Sequence, residues 1–185
     1  MEAHSEQMQE QVRKERLRAM TDLLTELPNR EAWQERLSFE YNRWQRYSHP
    51  LTVGVLDIDL FKRINDSYGH KAGDRVLQLV AREFRERLRT TDFVARFGGE
   101  EFVVLFPETE PADASVVVDK LREHVRKLPF HFRGEPVSVT FSAGLAGFIA
   151  GDTEESVFDR ADRALYQAKD AGRDQVMIGD STAGQ

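Results

Sequence analysis

The chain contains no cysteine. That excludes disulfides and thiolate metal sites, and it fits the cytosol. No apolar run approaches the roughly 20 residues that a membrane helix needs, and no signal-peptide pattern opens the chain. The expected location is therefore cytoplasmic, with no membrane contact by this segment; a membrane-anchored parent would carry its anchor elsewhere. Positive charge is not in excess: 26 Lys and Arg stand against 32 Asp and Glu, for a net charge of −6. A protein that coats nucleic acid needs a basic face, so no nucleic-acid polymer is expected as a partner. An acidic balance still allows a nucleotide bound through a divalent cation, because the metal carries the positive charge. Internal repeats and Pro/Ser-rich linkers are also missing. At 185 residues and 40% apolar, what is present suits one domain with a real core, plus an appendage.

The appendage is residues 1–21, polar at first and free of Gly and Pro. It reads as an exposed helix, in which Met8, Val12, Leu17 and Met20 form a ragged seam. A solvated arm and a fragment of coiled-coil stalk both fit. Pro28 then breaks the chain and Asn29 caps a helix carrying Trp33, Leu37, Tyr41 and Trp44 at helical spacing, expected in the core. Residues 51–58 form a nearly continuous apolar run, as in a central strand, ending at Asp57 and Asp59. A loop or short helix over 60–73 leads to a helix over 74–88, and another helix covers 112–128. Residues 137–145 alternate as a one-side-buried strand. Helix 157–171 stops at Gly172, and 175–178 forms a short closing strand. Strand, helix, hairpin, helix, strand, helix predicts an α/β sandwich of ferredoxin-like, palm type, with a mainly antiparallel sheet. The domain spans 22–178, and 179–185 is a flexible tail.

The hairpin is the richest stretch. Gly98 and Gly99 separate two apolar runs, and Gly-Gly supplies the positive φ of a tight turn. Glu100 and Glu101 follow, where a strand normally avoids them. Carboxylates at a glycine tip point to a metal-phosphate site. In a ferredoxin-like sheet the strand ending at Asp57 can lie beside this hairpin, so Asp57 and Glu100 could share one divalent cation. Mg²⁺, an oxygen-seeking ion that keeps room for phosphates, suits such a pair. Asp57 and Asp59 could instead cap the loop after their strand. Asp74 can cap a helix from Arg75, read guanine, or do both: a carboxylate accepts from guanine N1 and N2, and adenine offers no such pair.

Arg96-Phe97-Gly98-Gly99-Glu100-Glu101-Phe102 resembles the signature hairpin of the GGDEF family, the diguanylate cyclases, in its Gly-Gly-Glu-Glu-Phe variant. Further motifs follow the family order over about residues 22–174. They are Leu24 to Arg30, then Asp57, Asp59, Phe61, Lys62, Asn65, Asp66, Gly69, His70, Gly73 and Asp74, and finally Ala164 to Arg173. The resemblance implies that two GTP are joined into cyclic di-GMP and two pyrophosphates with Mg²⁺ or Mn²⁺, two ions per site. Each domain holds one GTP, so a homodimer performs the reaction. Asp57, the Ile58 carbonyl and Glu100 are the implied metal ligands, and Glu100 also takes the 3′-hydroxyl proton. Glu101 is a supporting carboxylate, and Lys62 a phosphate contact. Asn65 and Asp74 are the implied guanine readers. Phe61 and His70 line the nucleotide or settle the loop. Lys169 and Arg173 are implied triphosphate contacts, although cations there also complement the helix dipole. The family usually has Asn after that Arg; here it is Asp174.

Arg89-Thr90-Thr91-Asp92, with five residues between Asp92 and Gly98, matches the family's inhibitory site for cyclic di-GMP. Lys120 and Arg122 are candidates for its second cation. Two rivals follow: a catalytically weak domain that only binds cyclic di-GMP or GTP, and a palm-like enzyme for another nucleotide. The intact hairpin, Asp57 and Lys62 speak against the first, and Asn65 and Asp74 against the second.

Overall fold

The computed structural model describes residues 2–180. The opening helix α1 (Glu2–Ala19) buries no residue. Met8, Val12 and Leu17 are its only large apolar side chains, and all three are exposed. They do not make the broad stripe that packs a helix onto a core. Thr21 pairs with Pro28, closing a turn around Asp22, whose carboxylate accepts from the Thr25 amide and hydroxyl (3.0 and 2.6 Å). Helix α2 (Arg30–Tyr47) then starts at Asn29, which accepts from the Ala32 amide as its cap. Its Trp33 and Leu37 are buried; Tyr41 and Trp44 are half-buried against the ring of Phe148.

The remaining elements are β1 (Leu51–Ile58), α3 (Phe61–Tyr68), α4 (His70–Arg87), β2 (Phe93–Gly98), β3 (Glu101–Pro107) and α5 (Pro111–Arg126). They are followed by β4 (Phe130–Phe132), β5 (Glu135–Val137), β6 (Phe141–Gly147), α6 (Glu154–Asp170) and β7 (Val176–Ile178). Five strands form one sheet in the order β2-β3-β1-β6-β7, antiparallel except for the parallel pair β6–β7. This is the expected palm-type sandwich. Strand β1 is central and buried over all eight residues, which is why its sequence is apolar throughout.

The sheet separates two cores. Leu56 and Ile58 pack with Val76, Val80 and Phe84 of α4 and Val118 and Leu121 of α5. Leu51, Val53 and Val55 pack on the other face with Trp33 and Leu37 of α2 and Val157, Ala161 and Leu165 of α6. Phe84 meets Phe102 and Phe141 edge-on, at 5.2 and 5.5 Å between centroids.

Three expectations change. Helix α4 begins at His70, so Asp74 lies inside it and does not cap it; Gly69, with φ of +92°, takes that position and lets α3 turn directly into α4. The strand expected over 137–145 is divided. Val137 ends a small hairpin, β4–β5, turned at Arg133 and Gly134 with φ of 53° and 79°, and β6 starts at Phe141. The positive-φ pair Arg-Gly is a hairpin signal, flanked here by strands of three residues too short to show alternation. Gly179 and Asp180, placed in the tail from sequence, are held instead: Gly179 N donates to Leu145 O (2.6 Å) and Asp180 O accepts from Arg160. The rest of the tail, 181–185, lies outside the described residues.

Helix α6 sits on β6 at Gly144, where a Cβ would come within 2.1 Å of the Ala161 carbonyl and 2.2 Å of the Leu165 amide. Both are backbone atoms and cannot rotate away. Gly144→Ala is therefore expected to destabilise by about 3 kcal/mol or more, the upper end of overpacking costs, in chemical denaturation. A loss below about 1 kcal/mol would show that α6 can lift off the sheet freely.

Candidate active site

Alternation along β1 decides where Asp57 points. Odd residues face α2 and α6, so the Asp57 carboxylate stands on the α6 side, and Lys169 in the last turn of α6 ion-pairs with it. Across the ladder Asp57 pairs with Glu101 of β3 and with Ser142 of β6. Burial pushes the Asp57 carboxyl above its ordinary range, helped by Glu100 and Asp59 and opposed by Lys169. Burial, with Asp57 and Asp162 nearby, also raises Glu101.

The hairpin tip differs in one detail from the expectation. Gly98 is already paired with Glu101, so the two turn residues are Gly99, at φ +49°, and Glu100. Glu100 thus belongs to the turn itself. Its carbonyl accepts from Ile58 N (3.3 Å), which ties the tip to the end of β1. Arg96 holds the other side: its guanidinium donates to Gly99 O (3.0 and 2.9 Å) and to Asp22 (3.2 Å). Arg96 N also bonds Pro28 O (2.9 Å), so the turn after α1 braces the tip from behind. Arg96 carried no role in the sequence reading. A charged residue inside a strand, two before a glycine turn, was the available signal.

Asp57 and Glu100 are hard oxygen donors brought to one corner, with the Ile58 backbone between them. Among the described residues no three His, Asp or Glu side chains gather into a metal cage. Two carboxylates and a carbonyl suit a cation such as Mg²⁺, which leaves part of its shell to phosphate and water. Asp59 is different. Its carboxylate accepts from Thr140 Oγ1 (2.7 Å), Ser142 Oγ (2.6 Å) and Asp174 N (3.0 Å), so it is an anchor with its lone pairs engaged.

Comparison with known proteins gives the family. The family model described as diguanylate cyclase, GGDEF domain, matches residues 19–175. The chain belongs to the GGDEF family. It is 50% identical over 178 residues to the diguanylate cyclase DgcP of Pseudomonas aeruginosa, covering 96% of this chain and 26% of that protein. It is 41% identical to the response regulator PleD of Caulobacter vibrioides, over 86% of this chain and 36% of PleD. The chain thus spans about a quarter to a third of these curated relatives. Among solved structures, the coiled coil and GGDEF domain of DgcB from Caulobacter crescentus, in complex with c-di-GMP, superposes with a TM-score of 0.91. That match is 32% identical and covers 96% of this chain and 94% of the other.

In the GGDEF domain α3 and α4 bring the remaining candidates together. Asn65 of α3 lies against Gly73 of α4, where a Cβ would fall 1.9 Å from the Asn65 amide oxygen and 3.0 Å from the Phe61 ring. Gly73 is what lets the two helices close and sets Asn65 beside Asp74. Lys62, His70 and Asp74 are exposed, and their side chains make no hydrogen bond or ion pair to another described residue. Arg173 is exposed too, at φ +63° in the loop after α6.

Arg89 and Asp92 are already engaged with each other. The Arg89 fork donates to both Asp92 oxygens (3.2 and 3.0 Å), the Arg89 amide adds a third bond (3.0 Å), and the Asp92 side chain is 0% exposed. Arg89 also reaches Thr109 (2.8 Å) and keeps 57% of its side chain in solvent. Lys120 and Arg122 separate, because two residues along a helix turn to opposite sides. Lys120 lines a cleft with Arg87 and His124, between α4 and α5. Arg122 is turned inward to Asp174 (2.8 Å), Asp119 and Glu123, and its guanidinium is engaged there. Burial opposes the charge on Arg122, but hydrogen bonds to Asp174 and Asp119 outweigh it and lift the guanidinium above its ordinary value.

Proposed function

We propose that this GGDEF domain condenses two GTP into cyclic di-GMP and two pyrophosphates, as a homodimer with one GTP in each half-site. The observation that supports it most is the Ile58–Glu100 backbone bond, which brings Glu100 to the end of β1 next to Asp57, itself ion-paired with Lys169. The names of the relatives point to the same chemistry. Asp57, Glu100 and the Ile58 carbonyl would hold Mg²⁺ or Mn²⁺, two ions per site, which when bound acidify the attacking hydroxyl and offset pyrophosphate charge. Glu100 accepts the 3′-hydroxyl proton at its carboxylate, and Glu101 keeps the corner acidic. Lys62, Lys169 and Arg173 neutralise the triphosphate. Asn65 and Asp74 read the guanine edge, and Asp74 is open to solvent on its helix face to do so. Phe61 and His70 shape that end of the cleft. Adenine would leave the Asp74 carboxylate without its two donors, which penalises ATP.

Face-to-face pairing needs two domains in register. α1 can supply this, since its apolar seam is unburied in the single chain and the DgcB structure, which matches 96% of this chain, includes a coiled coil. Among the described residues no helix is long and apolar enough to cross a membrane.

Incubation with GTP and Mg²⁺, read by mass analysis, tests the reading, and Glu100→Gln is its control. The amide keeps the shape and loses the charge and basicity, so turnover should fall by several orders of magnitude, a barrier increase on the order of several kcal/mol, with the fold intact. Near-normal rates in that variant would remove Glu100 from the chemistry.

Specific activity should also rise with protein concentration, because half-sites must meet. A rate per domain that is flat from dilute to concentrated solution, with no stable dimer, would exclude the two-domain arrangement.

Arg89 is the main contact proposed for the product. Arg89→Ala should weaken cyclic di-GMP binding by roughly tenfold or more in titration and relieve inhibition, while leaving GTP affinity unchanged. It should also cost about 1–3 kcal/mol of stability, because the buried Asp92 loses its donors. Equal product affinity in the two proteins would leave Arg89–Asp92 a structural pair only.

A further inference from the structure

We propose that the Arg122–Asp174 ion pair is a positioning device for the triphosphate cations, acting through the loop that carries Arg173. The inference rests on the function proposed above and adds to it two residues that the site assignment does not contain.

The loop after α6 is unusual in its backbone. Gly172, Arg173 and Asp174 follow one another at φ of 119°, 63° and 49°. Two successive non-glycine residues in the left-handed region persist only where neighbours over-determine them. Asp174 supplies that determination in three directions. Its amide donates to Asp59 Oδ2 (3.0 Å) and to Ser142 Oγ (3.1 Å). Its carboxylate accepts from Arg122 of α5 (2.8 Å). The next residue, Gln175, accepts from Ala143 N (3.0 Å) and so enters the sheet edge.

The loop is therefore clamped between α5 and the β1–β6 corner, with Arg173 at its exposed apex. Arg173 N is bonded to Ala168 O (3.0 Å), so the same turn fixes the end of α6 from which Lys169 reaches Asp57. Arg122 can hold this clamp because it is largely enclosed, with 13% of its side chain exposed, and is braced by Asp119 and Glu123. A charge-assisted bond in such surroundings resists rotation of the loop better than a neutral one. An Asn at 174 could accept the Arg122 hydrogen bond but would lack the charge. Without the pair, Arg173 keeps its charge and loses its place.

The test uses the full chain and Mg²⁺, with a non-hydrolysable GTP analogue in calorimetric titration and initial rates alongside. Asp174→Ala and Arg122→Ala should each weaken analogue binding by about tenfold and raise KM more than they lower kcat. Because the two act as one unit, the double variant should be no worse than about the weaker single variant. Arg173→Ala should cost much less in the Asp174→Ala background than in the wild type, a result that a purely structural role would not give. Arg122→Lys, which keeps a cation near Asp174, should recover part of the affinity. Melting temperatures identify any variant that does not fold. If the alanine variants fail there, Asp174→Asn is read in the same way, with an expected loss of about threefold. Analogue affinity within about twofold of wild type in folded Asp174→Ala, or additive losses in the double variant, would overturn the inference. A wild-type chain that binds no analogue at all would overturn the functional reading first, and this inference with it.

Discussion

Like-charge crowding at one corner of the sheet is the constraint that the rest of the molecule answers. Asp57, Asp59, Glu100 and Glu101 lie near one another where β1 ends and the hairpin turns, so that Glu100 and Asp59 act on Asp57, and Asp57 and Glu100 act on Glu101. Burial first, and then this crowding, push Asp57 and Glu101 above the ordinary carboxyl range, and such a cluster costs free energy unless it is offset. The offsets are specific. Lys169 answers Asp57, two hydroxyls and an amide answer Asp59, and the tip is braced by Arg96 and by the Ile58 amide. Among the described residues neither Glu100 nor Glu101 closes an ion pair, and Glu101 feels Lys169 only at longer range, as Asp57 holds that ammonium. A divalent ion brought with a nucleotide is the charge that this corner fits.

Much of the fold was legible because it rests on simple periodicities. β1 is apolar at every position since both of its faces are covered, and α4 and α5 show one apolar side because each packs on one face. Asn29 capped its helix as its chemistry requires. What was not legible follows from short-range detail. The β4–β5 hairpin has strands of three residues, too few for a period. The start of α4 was missed because Gly69 sits where a polar cap is the usual signal, and Asp74, a good cap by residue type, stands one turn later. A helix boundary marked by glycine is set by the adjoining helix, and that is tertiary information.

The site divides in the same way. Asp57, Glu100, Lys62, Asn65, Asp74, Lys169 and Arg173 could be singled out as candidates from residue type and order, as parts of a family pattern. The residues that hold them were not. Arg96, Asp59 and Arg122 act through partners 74, 83 and 52 positions away, and no local pattern announces such pairs. Arg122 is the clearest case. As a lysine-like surface cation it fitted the product cleft, yet the turn of α5 between Lys120 and Arg122 sends them to different clients. Helical phase, and not charge, made that decision.

Arg89 and the hairpin tip lie at opposite ends of β2, and this bounds how a product site there could regulate. Strand β2 is paired with β3 from Phe93–Leu105 to Gly98–Glu101, and β3 is paired along β1. A ladder tied on this scale does not lengthen or slide to carry a signal, since a one-residue slip would turn the apolar side chains of β2 and β3 out of their cores. Arg89 is moreover locked to a fully enclosed Asp92, so a ligand on its free edge meets a preformed surface and has little to rearrange within one domain. A ligand shifts an equilibrium only through differential affinity for its states. For the two-domain reaction proposed above, the states that differ most are the relative placements of the two domains. Inhibition from this surface is therefore expected to work between domains, by favouring a pairing in which the two Glu100 corners do not face each other.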